Sequence, residues 1–181
     1  MNRSESVNRS LPMAARYAGI ALASVAALPG HAGGVLAQVP AAIAAPREAT
    51  VATFHAEGAQ VYECKAGSDG KLAWIFREPI ATLILDGKTI GRHYAGPTWE
   101  HADGSAVVGK VSGNAPGATE GDIAWLKLDV VGRRGTGTLA DVTTVQRINT
   151  KGGAMHGACD QAGALRSAPY SADYVFLRKA G

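Results

Sequence analysis

Aromatic residues make up only 6% of this 181-residue chain, and charged residues 18%. It holds two cysteines. Each shortage closes off a class. Two cysteines are too few for a small scaffold stapled by several disulfides. The longest apolar run, residues 17–28, has twelve residues, short of the ~20 that a membrane-spanning helix needs. There is no His-Glu-x-x-His pair for a zinc protease, no Gly-x-Ser-x-Gly elbow around Ser105 or Ser171, and no phosphate-binding loop. The net charge is only +3, and Arg3, Arg9 and Arg16, against Glu5, supply most of it near the start. The remainder carries no basic stripe, so no nucleic-acid partner is expected.

Those three arginines precede the apolar run, and Pro29-Gly30 ends it. Basic, apolar and small segments in that order read as a secretory leader over 1–37, cleaved after Ala32 or Ala37. The chain is then exported, to the periplasm or the exterior. In that setting an even cysteine count favours a Cys64–Cys159 disulfide over two free thiols or a cysteine-containing metal site. Residues 38–50 are rich in Ala and Pro and read as a linker. Residues 51–181 read as one domain.

That domain contains three Asp-Gly pairs at a constant interval: Asp69-Gly70, Asp86-Gly87 and Asp103-Gly104, each seventeen residues after the last. Asp-Gly between apolar, β-rich runs is a strong hairpin signal, since a type I′ turn needs φ > 0 at both central positions. Short strands are expected at 51–55, 60–65, 72–77, 80–85, 88–94, 98–102, 105–111, 123–131, 141–149 and 172–178. Glu78-Pro79 should end one of them, because proline cannot donate to a ladder. The Asp-Gly turns should close one end and the proline-containing turns the other. Nine or ten strands and no long helix predict an all-β fold, an antiparallel meander closing into a barrel or a two-sheet sandwich.

The densest polar and aromatic stretch is 91–109. If 98–102 is a strand, Trp99, His101 and Asp103 share a face. His93, His101 and Asp103, joined by His156, are the candidate ligands for zinc or copper. Glu100 and Asp103 form the nearest carboxylate pair, but alternation puts them on opposite faces, which glycoside hydrolysis does not allow. Tyr94, Trp99, His93 and His101 are the candidate ligand-binding residues, with the other aromatics reading as core. Gly135-x-Gly137-x-x-Ala140 imitates a dinucleotide fingerprint. The β-branched run Val142-Thr143-Thr144-Val145 then resists the helix that fingerprint needs, so NAD is not expected and the motif reads as a glycine-rich hairpin turn. The leading reading is non-catalytic binding of a small molecule or glycan. The alternatives are a metal-dependent enzyme or metal carrier, and a structural envelope or stress protein without a pocket.

Several stretches together resemble a known family. They are 58–64 (GAQVYEC), 93–99 (HYAGPTW), 103–105 (DGS), 124–126 (AWL), 145–153 (VQRINTKGG), Cys159 and 170–176 (YSADYVF). The chain is similar over 51–178 to the secreted bacterial and fungal proteins grouped as domain of unknown function 3455. The resemblance implies export and a single domain of this extent. Some fungal members carry a malate dehydrogenase label, but the resemblance assigns no catalytic residue and implies no established activity.

Overall fold

A computed structural model describes residues 39–180; the leader expected over 1–37 lies outside them. Eight antiparallel strands follow one another: β1 (Glu48–Ala66), β2 (Leu72–Leu85), β3 (Lys88–Tyr94), β4 (Thr98–His101), β5 (Ala106–Ala115), β6 (Trp125–Arg134), β7 (Thr144–Gly152) and β8 (Leu165–Lys179). Each pairs with its successor, and β8 pairs with β1 from Glu48 to Glu63. The meander is therefore a closed barrel, not a sandwich, which removes the open edges a flat sheet would leave.

Fewer strands form than the turn residues suggest, because two of the expected breaks are bridged and the last strand starts early. β1 runs straight through Glu57-Gly58. A Cβ at Gly58 would collide with the carbonyl of Ile80 on β2, so glycine is what lets the two long strands cross this closely. β2 runs through Glu78-Pro79, with a bulge that leaves Arg77 unpaired between Glu78 and Phe76. Proline is tolerated there because β3 pairs only with Ala81–Leu85, so this part of β2 is an edge. β8 likewise begins at Leu165 and passes Pro169.

In an up-and-down meander successive turns alternate between the two ends. The Asp69-Gly70 turn therefore lies with the Ala95-Gly96-Pro97 turn at one end, the mouth. Asp86-Gly87 and Asp103-Gly104 lie at the other. The expectation of one end for all three Asp-Gly pairs fails because β2 does not break at Pro79. The turn types differ too. Asp86 and Gly87 both have positive φ (50° and 73°), as a type I′ turn requires. At the other two sites only the glycine does (Gly70 77°, Gly104 87°). Those hairpins have longer loops, closed by Gly70 N–H donating to Gly67 O and Gly104 N–H donating to His101 O.

The interior is lined by inward registers of every strand, with Phe54, Trp99, Leu128, Val145, Tyr174 and Phe176 almost fully buried. The far end is plugged. The connection between β6 and β7, residues 135–143, turns inward and buries Leu139 and Val142 completely. Asp103 latches it: Oδ2 accepts from Thr138 N–H (2.8 Å), while Oδ1 accepts from Ser105 N–H (2.9 Å) and Oγ–H (2.6 Å). Ser105 Oγ in turn accepts from Leu139 N–H (3.1 Å). The Gly-x-Gly-x-x-Ala motif is thus a strand-to-strand connection, and no helix follows it. Within the stretch that composition reads as a linker, a 3-10 turn at Ala41–Ile43 is held on the barrel wall. Ile43 is fully buried, and Gln146 on β7 donates to its carbonyl (2.6 Å).

Candidate functional site

β3 and β4 are short, seven and four residues. They join the far half of β2 to the far half of β5 and stop at the Gly96-Pro97 turn. Beyond that turn no strand lies between β2 and β5. The mouth half of the barrel therefore encloses a cavity of about 640 Å³. Phe76 and Pro79 line it from β2 and Val111 from β5. Phe76 and Val111 are about half exposed, so apolar side chains flank the gap.

A strap crosses the mouth. Residues 153–164 leave β7, pass the ends of β8 and β1, and reach the free edge of β2. There Trp74 N–H donates to Gly157 O (3.2 Å) and Cys159 N–H donates to Leu72 O (3.2 Å). The strap returns to β1, where Gly163 N–H donates to Cys64 O (2.9 Å). The Cys64–Cys159 disulfide fastens it, as the cysteine count predicts. Ala154 and His156 on the strap line the cavity. Tyr62 Oη donates to Gly153 O (2.7 Å) from below.

The floor is aromatic. The His93 and Trp99 rings, directly opposite each other on β3 and β4, stack nearly parallel at 4.5 Å. Tyr174 stands edge-on to Trp99 at 5.3 Å. His93 Nδ1–H donates to Thr98 O (2.8 Å). Burial pushes the His93 pKa down to about 3, with the Arg147 charge adding to the shift and the Thr98 hydrogen bond opposing it. The ring is neutral at ordinary pH. On unfolding it returns to a pKa near 6.5, so between those two values the unfolded chain binds the extra proton. Stability should therefore decline as pH falls from 6.5 toward 3, by at most about 1.4 kcal/mol per unit from this group. In urea titrations across pH 4.5–7.5, His93→Asn should be less stable at neutral pH but show a shallower acid decline. An equal slope in both proteins overturns this assignment.

Two almost fully buried side chains that line this cavity carry donors without a protein acceptor, and a half-buried arginine joins them. Trp99 is 1% exposed and Gln60 2%; Trp99 Nε1 and Gln60 Nε2 have no hydrogen-bond partner. Arg147 reaches the cavity from β7. Its Nε–H and Nη2–H both donate to Ala124 O (3.0 and 2.8 Å). No carboxylate lies within ion-pair distance of it among the described residues. Its charge is felt inside the barrel: it works against the burial that raises the Tyr62, Tyr170 and Tyr174 phenols. Arg77, by contrast, is paired with Glu63 and Glu78. Asp122 also borders the cavity. Its carboxylate is occupied by Gly152 N–H (2.6 Å) and by Thr119 N–H and Oγ1–H, which hold its pKa below the usual range.

Of the ligand-binding residues expected from the sequence, His93 and Trp99 come together in this cavity; Tyr94 and His101 do not. Tyr94 follows His93 and so faces outward. Its hydroxyl donates to Glu100 Oε2 (2.8 Å), which also takes Arg92 and Arg134. His101 belongs to the far half, stacked on Phe54 (5.7 Å) with Nδ1 2.9 Å from Asp103 Oδ2. The expected metal set is divided accordingly: His93 and His156 border the cavity, while His101 and Asp103 serve the far-end latch. No group of three His, Cys, Asp or Glu side chains poised for a metal occurs among the described residues. Alternation alone misses Gln60, Tyr62, Arg147 and Tyr174. The spacing Val145-x-Arg147 puts arginine in the inward register, but only a known register says which face is inward.

Closed antiparallel barrel, plugged at one end and hollow at the other: that is the class of protein the geometry defines. The chain belongs to the family described as a protein of unknown function, DUF3455, whose model matches residues 45–178. No curated protein and no solved structure matches it.

Proposed function

We propose that this protein is a non-catalytic binding protein whose small-molecule ligand occupies the cavity beneath the strap. The observation that carries the reading is a cavity of about 640 Å³ lined by two almost fully buried side chains, Trp99 and Gln60, whose Nε1 and Nε2 donors have no partner among the described residues. A buried donor without an acceptor is unfavourable by roughly 1–3 kcal/mol, and a ligand acceptor relieves that. The volume falls within the range of small-molecule sites. Among the described residues the cavity lining has no serine, cysteine or lysine to act as a nucleophile. The cavity also speaks against the alternative of a structural protein without a pocket. A site of this volume beneath a strap, open between β2 and β5, suits a compact ligand better than a long glycan. Export, supported by the disulfide, would make this a binder of the periplasm or exterior.

The test is a thermal-melt screen of small metabolites and oligosaccharides, with native mass spectrometry of the protein as purified. The expected result is a co-purifying small mass, or a metabolite that raises Tm by several degrees and changes Trp fluorescence. No retained mass and no Tm shift from any compound at millimolar concentration overturns the reading.

A further inference from the structure

We propose that the ligand is a small organic carboxylate with an apolar body, its carboxylate held by Arg147, Trp99 Nε1–H and Gln60 Nε2–H. This rests on the cavity being a binding site. The argument begins with charge. Arg147 is a half-buried cation that no carboxylate of the described residues neutralises, and two of its five N–H groups go to Ala124 O. A guanidinium held to a backbone carbonyl along one edge keeps its other donors for a planar, bidentate acceptor, and a carboxylate matches that fork.

The neighbouring groups repeat the same chemistry. Trp99 Nε1 can only donate, and Gln60 Nε2 is the donor end of its amide. Both are almost completely buried on the cavity wall without a partner. Donors without acceptors select a ligand group that is all acceptor. One uncompensated cation also limits the charge. The second arginine at the cavity, Arg77, is already paired with two glutamates, so one negative charge is balanced and a phosphate dianion is not. Much of the remaining lining is apolar, with Phe76, Pro79, Val111, Ile123 and Leu126, and the Asp122 carboxylate at its border is already taken up by Gly152 and Thr119. The apolar side chains give the ligand its hydrocarbon or aromatic body, and the gap between β2 and β5 gives it a way in.

The test is a matched series on the full chain, read by calorimetry and Trp fluorescence. Decanoate, decanamide and decylamine share one body; cinnamate, cinnamamide and cinnamylamine share another. In at least one series the carboxylate should bind about tenfold or more tighter than its amide, and the amine should not bind. Arg147→Gln should remove that preference and leave amide binding within about twofold, while Arg147→Lys should keep part of it. Should Arg147→Gln fail to fold, the series on the unaltered chain decides alone. If amides or amines bind as tightly as the carboxylates, or Arg147→Gln keeps the preference, the carboxylate assignment falls and the binding cavity stands. If no member of either series binds at 10 mM, the carboxylate assignment falls, and the metabolite screen decides the cavity.

Discussion

Reducing the Cys64–Cys159 bond should lower the unfolding free energy by about 4–5 kcal/mol. For a domain of this size that is a fall in Tm on the order of 15 °C. The magnitude follows from loop length. The bond joins residues 95 apart, so it constrains most of the unfolded domain. In the chain-entropy model the effect grows with the logarithm of that length. The bond also acts locally. It ties the strap to β1 beside the backbone hydrogen bonds that hold residues 157–163 across the mouth. The Cys64→Ala/Cys159→Ala double variant should therefore lose amide-exchange protection first at positions 74, 159 and 163, before the barrel core. Paired melts with and without reductant, plus exchange at those amides, check both parts. A change in Tm below about 3 °C would show that the strap and barrel hold without the bond.

Trp99→Ala should lower stability by about 3–5 kcal/mol, the range for removing a large buried aromatic. Trp99 is the largest of the fully buried side chains and the hub of the floor, touching the His93, Tyr174 and Phe176 rings. Its removal extends the existing cavity downward, and the closed ring of strands has little freedom to collapse into the space. Trp99→Phe should lose far less, about 1–2 kcal/mol, because an aromatic ring remains and the Nε1–H it gives up has no partner in the protein. Urea unfolding of the two variants separates packing from hydrogen bonding. A Trp99→Ala loss below 1 kcal/mol would mean that the floor repacks.

Much of the scaffold is legible locally. A positive φ is a one-residue property, so Asp86-Gly87 announces its hairpin wherever it stands. The Ala95-Gly96-Pro97 turn, once recognised, places His93 opposite Trp99, because a short hairpin leaves only one register. The same alternation that puts Trp99 inside should have excluded Tyr94, since His93 and Tyr94 point to opposite faces. Proline at 79 misled because its effect depends on whether the strand has a neighbour there, and that depends on how far β3 extends. His101 shares a face of β4 with Trp99, while Asp103 stands in the turn beyond that strand, and face and depth are separate quantities. They lie nearer the plugged end and are taken up by the latch there.

By itself the sequence determined an all-β antiparallel meander, the positions of its tight turns and a single disulfide, because those rest on local dihedral limits, alternation and cysteine count. Only the tertiary structure decided that β8 returns to β1, that residues 135–143 plug one end, and that Gln60, Trp99 and Arg147 meet at the other. Closure and register are properties of strands far apart in the chain. No local pattern fixes which donors will end up buried together without acceptors.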